Sequence, residues 1–300
     1  MKIAICVSGQ TRHLNKDTHH LLAVLDLFSD YDYDLFGHTW SDQEDPNDNL
    51  LNKFVEYRSD NQQIIWDTII DPHAYQFPDD RPNWSQFFTT ERDWIKDAEY
   101  QDILNGTSAT SYIDFAKERI NGHCGQVWSA MESFLLTKKH MPVNQYEFVV
   151  RLRWDCKIDE YVYADENLED VKKEFKETLW LWANQKGKFD SKYGGALPDA
   201  SCLMADDCVF DGKSFYTNDM LYVIKGNAFN NILKFTTIHT FEKMLHVRNM
   251  EYVTMSHQLW ADWLESLNLR CAPVLNDLIR LNADGDIDDP VSKPNKRWRV

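Results

Sequence analysis

Three charged side chains close an apolar run in the stretch QYEFVVRLRWDCKID, residues 145–159: Arg151, Arg153 and Asp155. Charged groups are costly to bury unless they are paired or bind a ligand. The pattern therefore indicates a site that binds a ligand, and the alternative is a structural ion-pair network.

Two further polar sets follow apolar runs earlier in the chain. The run KIAICVS is followed by a loop with Ser8, Gly9, Gln10 and Arg12, and the run YDLFGHTW ends with His38, Thr39 and Trp40. Each set alone is consistent with an ordinary polar loop. Three sets at the carboxyl ends of strands favour a ligand site, because ligands bind at that edge of parallel sheets.

The elements that must position these side chains form a βαβ unit. Residues 2–8 predict a buried strand, 17–28 a helix and 33–40 a second strand, so the two strands should be parallel. Residues 146–155, apolar on both faces up to Arg151, predict a central strand.

The other segments complete an α/β pattern. We expect strands near 62–66, at 179–182 and before Gly226, and a strand-like segment at 269–282. Helices are expected near 91–104, 110–120, 125–140, 168–178, 227–245 and 255–267. With no clear linker, residues 1–300 are predicted to form one domain, with an inserted or helical region at 41–125.

Composition excludes several classes of partner. The 300 residues are 43% hydrophobic, which indicates a folded protein, and carry a net charge of −16, which disfavours nucleic acid and anionic membranes. The six cysteines lack zinc-type spacing, and the amino terminus has no long apolar segment. We expect a cytoplasmic protein with reduced thiols and no membrane span.

The segments SGQTR, DLFGHTW and YEFVVRLRWD together resemble a family of glycosyltransferases with a GT-A fold. The resemblance covers residues 2–40 and 126–281, and 41–125 match nothing in that family. It implies a Rossmann-like domain with a mostly parallel central sheet flanked by helices. It also implies a hexosyltransferase-type activity, which moves a sugar from a nucleoside-diphosphate sugar to a glycan or other hydroxyl acceptor.

The family's usual mark is an Asp-x-Asp triad that closes a central strand and holds a divalent metal on the diphosphate. RWD stands in that place here, so Asp155 matches the second aspartate and Arg153 replaces the first. The resemblance implies Mn²⁺ or Mg²⁺ on Asp155, with His257 as a later metal or phosphate ligand. The arginine departs from this pattern, and it can do part of the metal's work. His257 can equally be a capping or packing residue.

The resemblance also assigns the remaining site residues. Asp219, next to Asn218 in YTNDMLYVIKG, would contact the sugar or deprotonate the acceptor, although such a pair can also simply cap a turn. Gln126 would begin the helix that packs over the nucleotide pocket. The residues expected to bind the nucleotide sugar are Ser8, Gly9, Gln10, Arg12, His38, Thr39, Gln126, Arg151, Arg153 and Asn218.

Two other functions stay open. A sugar nucleotidyltransferase shares the Rossmann-like core, but it usually has a glycine-rich basic loop after the first strand, and SGQTR has one glycine and one arginine. A non-catalytic module that binds a nucleotide sugar is the second alternative, favoured by Arg153 in place of an acidic ligand.

Overall fold

The computed structural model describes most of the expected sheet and the helices around it. The described residues are 2–15, 18–42, 45–65, 67–68, 112–140, 146–158, 168–184, 189–190, 196–197, 202–205, 220–240, 263–264, 266–269, 271–275 and 278–280.

The strands are β1 Lys2–Ser8, β2 Asp32–Trp40, β3 Phe54–Asp60, β4 Phe148–Arg153, β5 Cys156–Ile158, β6 Phe189–Asp190, β7 Ala196–Leu197, β8 Cys202–Ala205, β9 Leu221–Lys225, β10 Cys271–Leu275 and β11 Leu278–Arg280. The helices are α1 His19–Leu25, α2 Asp48–Leu51, α3 Gln63–Ile65, α4 Tyr112–His140, α5 Leu168–Asn184 and α6 Gly226–Ile232. Short 3-10 turns occupy Arg12–Asn15 and Asp26–Phe28.

Seven of these strands form a mixed sheet in the order β10-β8-β9-β4-β1-β2-β3. Strand β1 is parallel to β2 and β4, β2 is parallel to β3, and β10 is parallel to β8. Strand β9 is antiparallel to β4 and β8. The expected fold class is confirmed: a mixed α/β protein with a mostly parallel central sheet. The parallel pairing of β1 with β2 and the central position of β4 are also confirmed.

Each face of the sheet is covered by helix. Alternate residues of β1 lie on opposite faces: Ala4 and Cys6 pack in one core with Val127 and Met131 of α4, while Ile5 and Val7 pack in the other with α1 and α5. Because both faces are buried, the inner strands are apolar along most of their length. The buried polar residues of β1, β2 and β4 lie toward the carboxyl ends of these strands: Ser8, His38, Thr39, Arg151 and Arg153.

The segment LWLW was expected to be a strand and is part of α5, so that expectation is wrong. Val171, Phe175, Leu179 and Trp182 are buried and recur every three or four residues, while Trp180 is 57% exposed. This spacing is the period of a helix, so the run LWLW belongs to an amphipathic helix. Leu179 and Trp182 lie on its buried face, and Trp180 lies on its exposed face.

The strand expected near 62–66 lies earlier, at β3, and is followed by the helical turn α3. Asn61 begins that turn, since its side chain accepts a hydrogen bond from the Gln63 N–H at 2.9 Å. Strand β3 is the last strand in the described sheet order, and its second half is polar, with Arg58, Ser59 and Asp60, which weakens its sequence signal.

Helices and strands near the carboxyl end are shorter than expected. The helix expected at 227–245 ends in α6 at Ile232, and a new turn begins after Thr236, whose hydroxyl accepts from the His239 N–H at 3.3 Å. The segment 269–282 forms two strands, with β10 in the main sheet and β11 paired to β5.

The remaining predicted helices fall partly within the description. The helices expected at 110–120 and 125–140 are one helix, α4. The helix expected near 91–104 lies outside the described residues, as does most of the one expected at 255–267, where residues 263, 264 and 266 are helical. Among the helices that the structure describes, none is long and apolar enough to cross a membrane.

Candidate functional site

The three polar sets meet at one edge of the sheet. Strand pairing places Ser8 opposite His38 of β2 on one side and opposite Arg153 of β4 on the other. Because the three strands are parallel, their carboxyl ends lie side by side. The sequence expectation that these residues form one constellation therefore agrees with the sheet register.

The loop after β1 has two residues in the left-handed region of backbone conformation. Gly9 has φ 108° and Arg12 has φ 48°. Such a φ is open to glycine but strains an arginine by about 1 kcal/mol or more. The peptide at Gly9 is held from two sides, since its N–H donates to Ser129 Oγ at 2.7 Å and its carbonyl accepts from Thr39 Oγ1 at 2.9 Å. The loop is thus fixed to α4 and to β2.

Asp155 is bound by two arginines directly after β4. Arg153 Nε donates to Asp155 Oδ1 and Arg153 Nη2 donates to Oδ2, both at 2.8 Å. Arg12 Nε lies 2.8 Å from the same Oδ2. The side chains of Arg153 and Asp155 are 6% and 1% exposed, and that of Arg12 is 15% exposed. An ion-pair network, which was the alternative interpretation of this stretch, is present, and Arg12 extends it from the β1 loop to the end of β4.

Arg151 adds a third guanidinium group beneath this cluster. It is fully buried, and its Cζ lies 5.9 Å from the centre of the Tyr222 ring on β9. Side chains two residues apart on a strand share a face, so Arg151 and Arg153 lie on the same side of β4. Burial is the main cause that raises the pKa of the nearby Cys156 thiol to about 12. The negative charge of Asp155 also raises this pKa, whereas the positive charges of Arg153 and Arg151 lower it.

His38 is enclosed below the loop. Its Nδ1 lies 2.8 Å from Ser129 Oγ, and its Nε2 lies 3.1 Å from Asp60 Oδ2 at the end of β3. The ring is fully buried and both nitrogens have protein partners. Thr39 is also fully buried. Both residues therefore support the loop through hydrogen bonds from inside the fold.

Asp60 completes this chain of hydrogen bonds. Arg58 donates to Asp60 Oδ1 from Nε at 3.0 Å and from Nη2 at 2.8 Å. Burial acts to raise the pKa of the Asp60 carboxyl, but the hydrogen bonds from His38 and Arg58 outweigh it and lower the pKa to about 2. The carboxylate is consequently charged at any pH near neutrality.

Ser129 and Asp60 were not predicted from the sequence. Ser129 lies on the buried side of α4, four residues after Gly125 and four before the buried Ser133. A line of small residues at that spacing on a helix face indicates close packing against a sheet, and it was the available signal. Nothing local identifies Asp60, because its contacts depend on the pairing of β2 with β3.

Tryptophan side chains close the site toward the core. Trp154 Nε1 donates to the His38 carbonyl oxygen at 2.8 Å, and its ring packs against Phe54. Trp40 is buried in the core and meets the His38 ring edge-on, with centroids 5.4 Å apart. It cannot stack on a sugar from that position.

The other predicted site residues divide into two groups. Gln126 does not begin a helix as expected, because α4 begins at Tyr112; it is half-buried within α4, one turn from Ser129. Gln10 is half-buried in the β1 loop. Asn218, Asp219 and His257 lie outside the described residues. Their expected roles stay predictions.

The described residues do not fit the divalent metal expected at Asp155. Both of its carboxylate oxygens face guanidinium groups, and two positive charges close to the same carboxylate oppose a further cation. In the described part of the chain, no group of three or more histidine, cysteine, aspartate or glutamate side chains could hold a metal ion.

Comparison with known proteins adds little. No family model matches the chain, and no curated protein matches it. Among solved structures, the crystal structure of mouse xyloside xylosyltransferase 1 in its apo form matches at a TM-score of 0.33 and 8% identity. The match covers 91% of this chain and 83% of that one. Similarity at this level carries no argument about activity, so the site's own geometry must support any function.

Proposed function

We propose that this protein is a GT-A-like glycosyltransferase that transfers a sugar from a nucleoside-diphosphate sugar to an acceptor hydroxyl. The observation that carries the proposal is the cluster in which Arg12 and Arg153 converge on Asp155 at the carboxyl end of β4. It lies in the position where open α/β sheets bind ligands. The ordered motifs that resemble the family support the same reading.

The chemistry requires stabilisation of a departing diphosphate. When the bond between the sugar's anomeric carbon and the diphosphate oxygen breaks, negative charge grows on that oxygen. Guanidinium groups fixed beforehand stabilise this charge without reorganising during the reaction. Arg12 and Arg153 supply such groups, and the loop Ser8–Gly9–Gln10 forms the adjoining wall of the nucleotide pocket. His38 and Thr39 act from behind, by holding that loop.

The acceptor side of the reaction depends on residues outside the described chain. In this proposal Asp219 takes the proton from the acceptor hydroxyl, and Asn218 contacts the donor beside it. His257 remains a proposed phosphate or metal ligand. We also propose a cytoplasmic location, which suits the free thiols of Cys6, Cys124, Cys156 and Cys202.

A second candidate is a module that binds a nucleotide sugar without turnover. It is favoured by Arg153, which stands where the family has an acidic ligand and donates two hydrogen bonds to Asp155. The two functions share the donor site and differ in whether the sugar is transferred or hydrolysed.

The test is a turnover assay with UDP-, GDP-, CMP- and dTDP-sugars, in which released nucleotide is separated by chromatography. A transferase releases nucleotide from one donor class, faster with the right acceptor. Arg12→Gln should slow this release at least tenfold, and Lys176→Gln, which removes an exposed ion pair with Asp30, should not change it.

Two results would count against transfer. Tight binding with no release in the presence of a broad acceptor panel would identify the binding module. Release of inorganic pyrophosphate from a nucleoside triphosphate and a sugar phosphate would identify the nucleotidyltransferase.

A further inference from the structure

We infer that the carboxyl end of β4 binds the diphosphate group of its ligand through Arg12 and Arg153 without a divalent metal ion. Asp155 then serves as the counter-ion that fixes the two guanidinium groups. The inference rests on the proposed function and specifies how the donor is recognised.

The geometry assigns Asp155 to the arginines. Arg153 donates to Asp155 Oδ1 from Nε and to Oδ2 from Nη2, both at 2.8 Å. Arg12 Nε lies 2.8 Å from the same Oδ2. A planar guanidinium matches a carboxylate in this two-pronged way, and the arrangement holds the arginine in one orientation. A metal ion on the same carboxylate would have to approach the positive charge of both guanidinium groups.

The charge of the cluster favours an anion. Among the described residues, the guanidinium groups of Arg12 and Arg153 both contact the Asp155 carboxylate, and Arg151 lies on the same side of β4. A diphosphate carries two or more negative charges at neutral pH, and arginine forks bind its oxygens with charge-assisted hydrogen bonds.

The loop beside the cluster has the features of a phosphate cradle. Arg12 is held at φ 48°, a strained conformation that the surrounding contacts maintain, and Gly9 at φ 108° is fixed by Ser129 and Thr39. Ser8 Oγ is fully buried and has no hydrogen-bond partner among the described residues. Since Ser8 pairs with Arg153 in register, this hydroxyl lies beside the guanidinium that would bind the ligand.

A simple anion isolates this property from nucleotide recognition. We would titrate inorganic pyrophosphate, and separately inorganic phosphate, into the protein by isothermal titration calorimetry in buffer with EDTA. The wild-type protein should bind pyrophosphate in EDTA, and phosphate more weakly. Arg12→Gln should weaken pyrophosphate binding at least tenfold, and Arg12→Lys, which keeps the charge but loses the fork, should have a smaller effect.

The variants are chosen so that folding does not confuse the result. Arg12 is the most exposed member of the cluster, and its replacement leaves the Arg153–Asp155 pair intact. Lys176→Gln removes one positive charge from an exposed pair and should bind pyrophosphate as the wild type does. Circular dichroism establishes that each variant is folded before titration.

The outcomes separate this inference from the proposed function. Pyrophosphate binding that appears only when Mn²⁺ is added, or binding in EDTA that Arg12→Gln leaves unchanged, overturns the inference. If UDP, GDP or dTDP binds only with Mn²⁺, the donor site stands and the metal-free mode falls. If pyrophosphate binds in EDTA and none of these nucleotides binds more tightly, the metal-free anion site stands and the proposed function falls.

Discussion

Replacing Asp155 with asparagine should strongly destabilise the fold. The change removes the negative charge between two guanidinium groups while hardly altering side-chain volume. In the native structure the carboxylate accepts two hydrogen bonds from Arg153 and lies 2.8 Å from Arg12, at 1% exposure. Breaking a buried ion pair by removing one partner costs about 3–5 kcal/mol, because the remaining charges stay buried.

Equilibrium urea unfolding gives the free energy directly. The matched control is Asp26→Asn, since Asp26 pairs with Lys172 at 3.0 Å but its side chain is 49% exposed. An exposed pair contributes about 0–1 kcal/mol, so this control should change little. If Asp155→Asn lost no more stability than Asp26→Asn, the cluster would not be a buried electrostatic unit.

Three further predictions concern the loop, the acid limit and the backbone. Ser129→Ala should cost about 1–3 kcal/mol in urea unfolding and weaken nucleotide binding, because the buried N–H of the β1 loop loses its acceptor. The pKa of Asp60 is about 2 in the folded protein against 3.8 as its ordinary value, so its carboxylate stabilises the fold above about pH 4. This contribution is lost as the pH falls from 4 to 2, and Asp60→Asn should flatten that part of the stability profile. Gly226→Ala should cost about 3 kcal/mol or more, since a Cβ there would lie 1.9 Å from the Tyr146 carbonyl oxygen.

The predictions for Ser129 and Gly226 each have a matched control variant in the chain. Ser133→Ala removes a hydroxyl that bonds only to its own helix among the described contacts, and should cost less than 0.5 kcal/mol, about the effect of a neutral substitution. Gly125→Ala, whose Cβ would meet nothing closer than 3.5 Å, should stabilise α4 by about 1 kcal/mol. Equal losses of unfolding free energy in Ser129→Ala and Ser133→Ala would contradict the role given to Ser129. The role of Asp60 would be contradicted if the wild type and Asp60→Asn showed the same dependence of stability on pH. A Gly226→Ala variant as stable as the wild type would contradict the close approach at Gly226.

The inner strands could be predicted from the sequence because burial on both faces gives long apolar runs. Strands β1, β2 and β4 have that pattern, and their parallel arrangement follows from the helix between the first two. Strand β3 lacked the signal, since one side of it has no partner in the described sheet. The LWLW run of α5 resembles a buried strand, and only the spacing of Phe175, Leu179 and Trp182 distinguishes the two.

The site was predictable in outline and not in detail. Strand ends identify Arg12, His38, Arg153 and Asp155, since polar residues there follow buried runs. The sequence left the partners of Asp155 open between a metal and arginines, because side-chain distances depend on the sheet register. Ser129 was not identified, since its contacts join residues 91 and 120 positions apart in the chain.

The most direct test of the donor site is a thermal-shift titration with UDP, GDP, CMP and dTDP, each in EDTA and in Mn²⁺. A ligand that binds only the folded protein stabilises it by about 2.7 kcal/mol at a hundredfold excess over its Kd. We expect one nucleoside diphosphate to raise the Tm in EDTA, and we expect Arg12→Gln to reduce this shift while Lys176→Gln leaves it unchanged. If no nucleotide raises the Tm of the folded protein under either condition, the carboxyl end of β4 is not a nucleotide-sugar site.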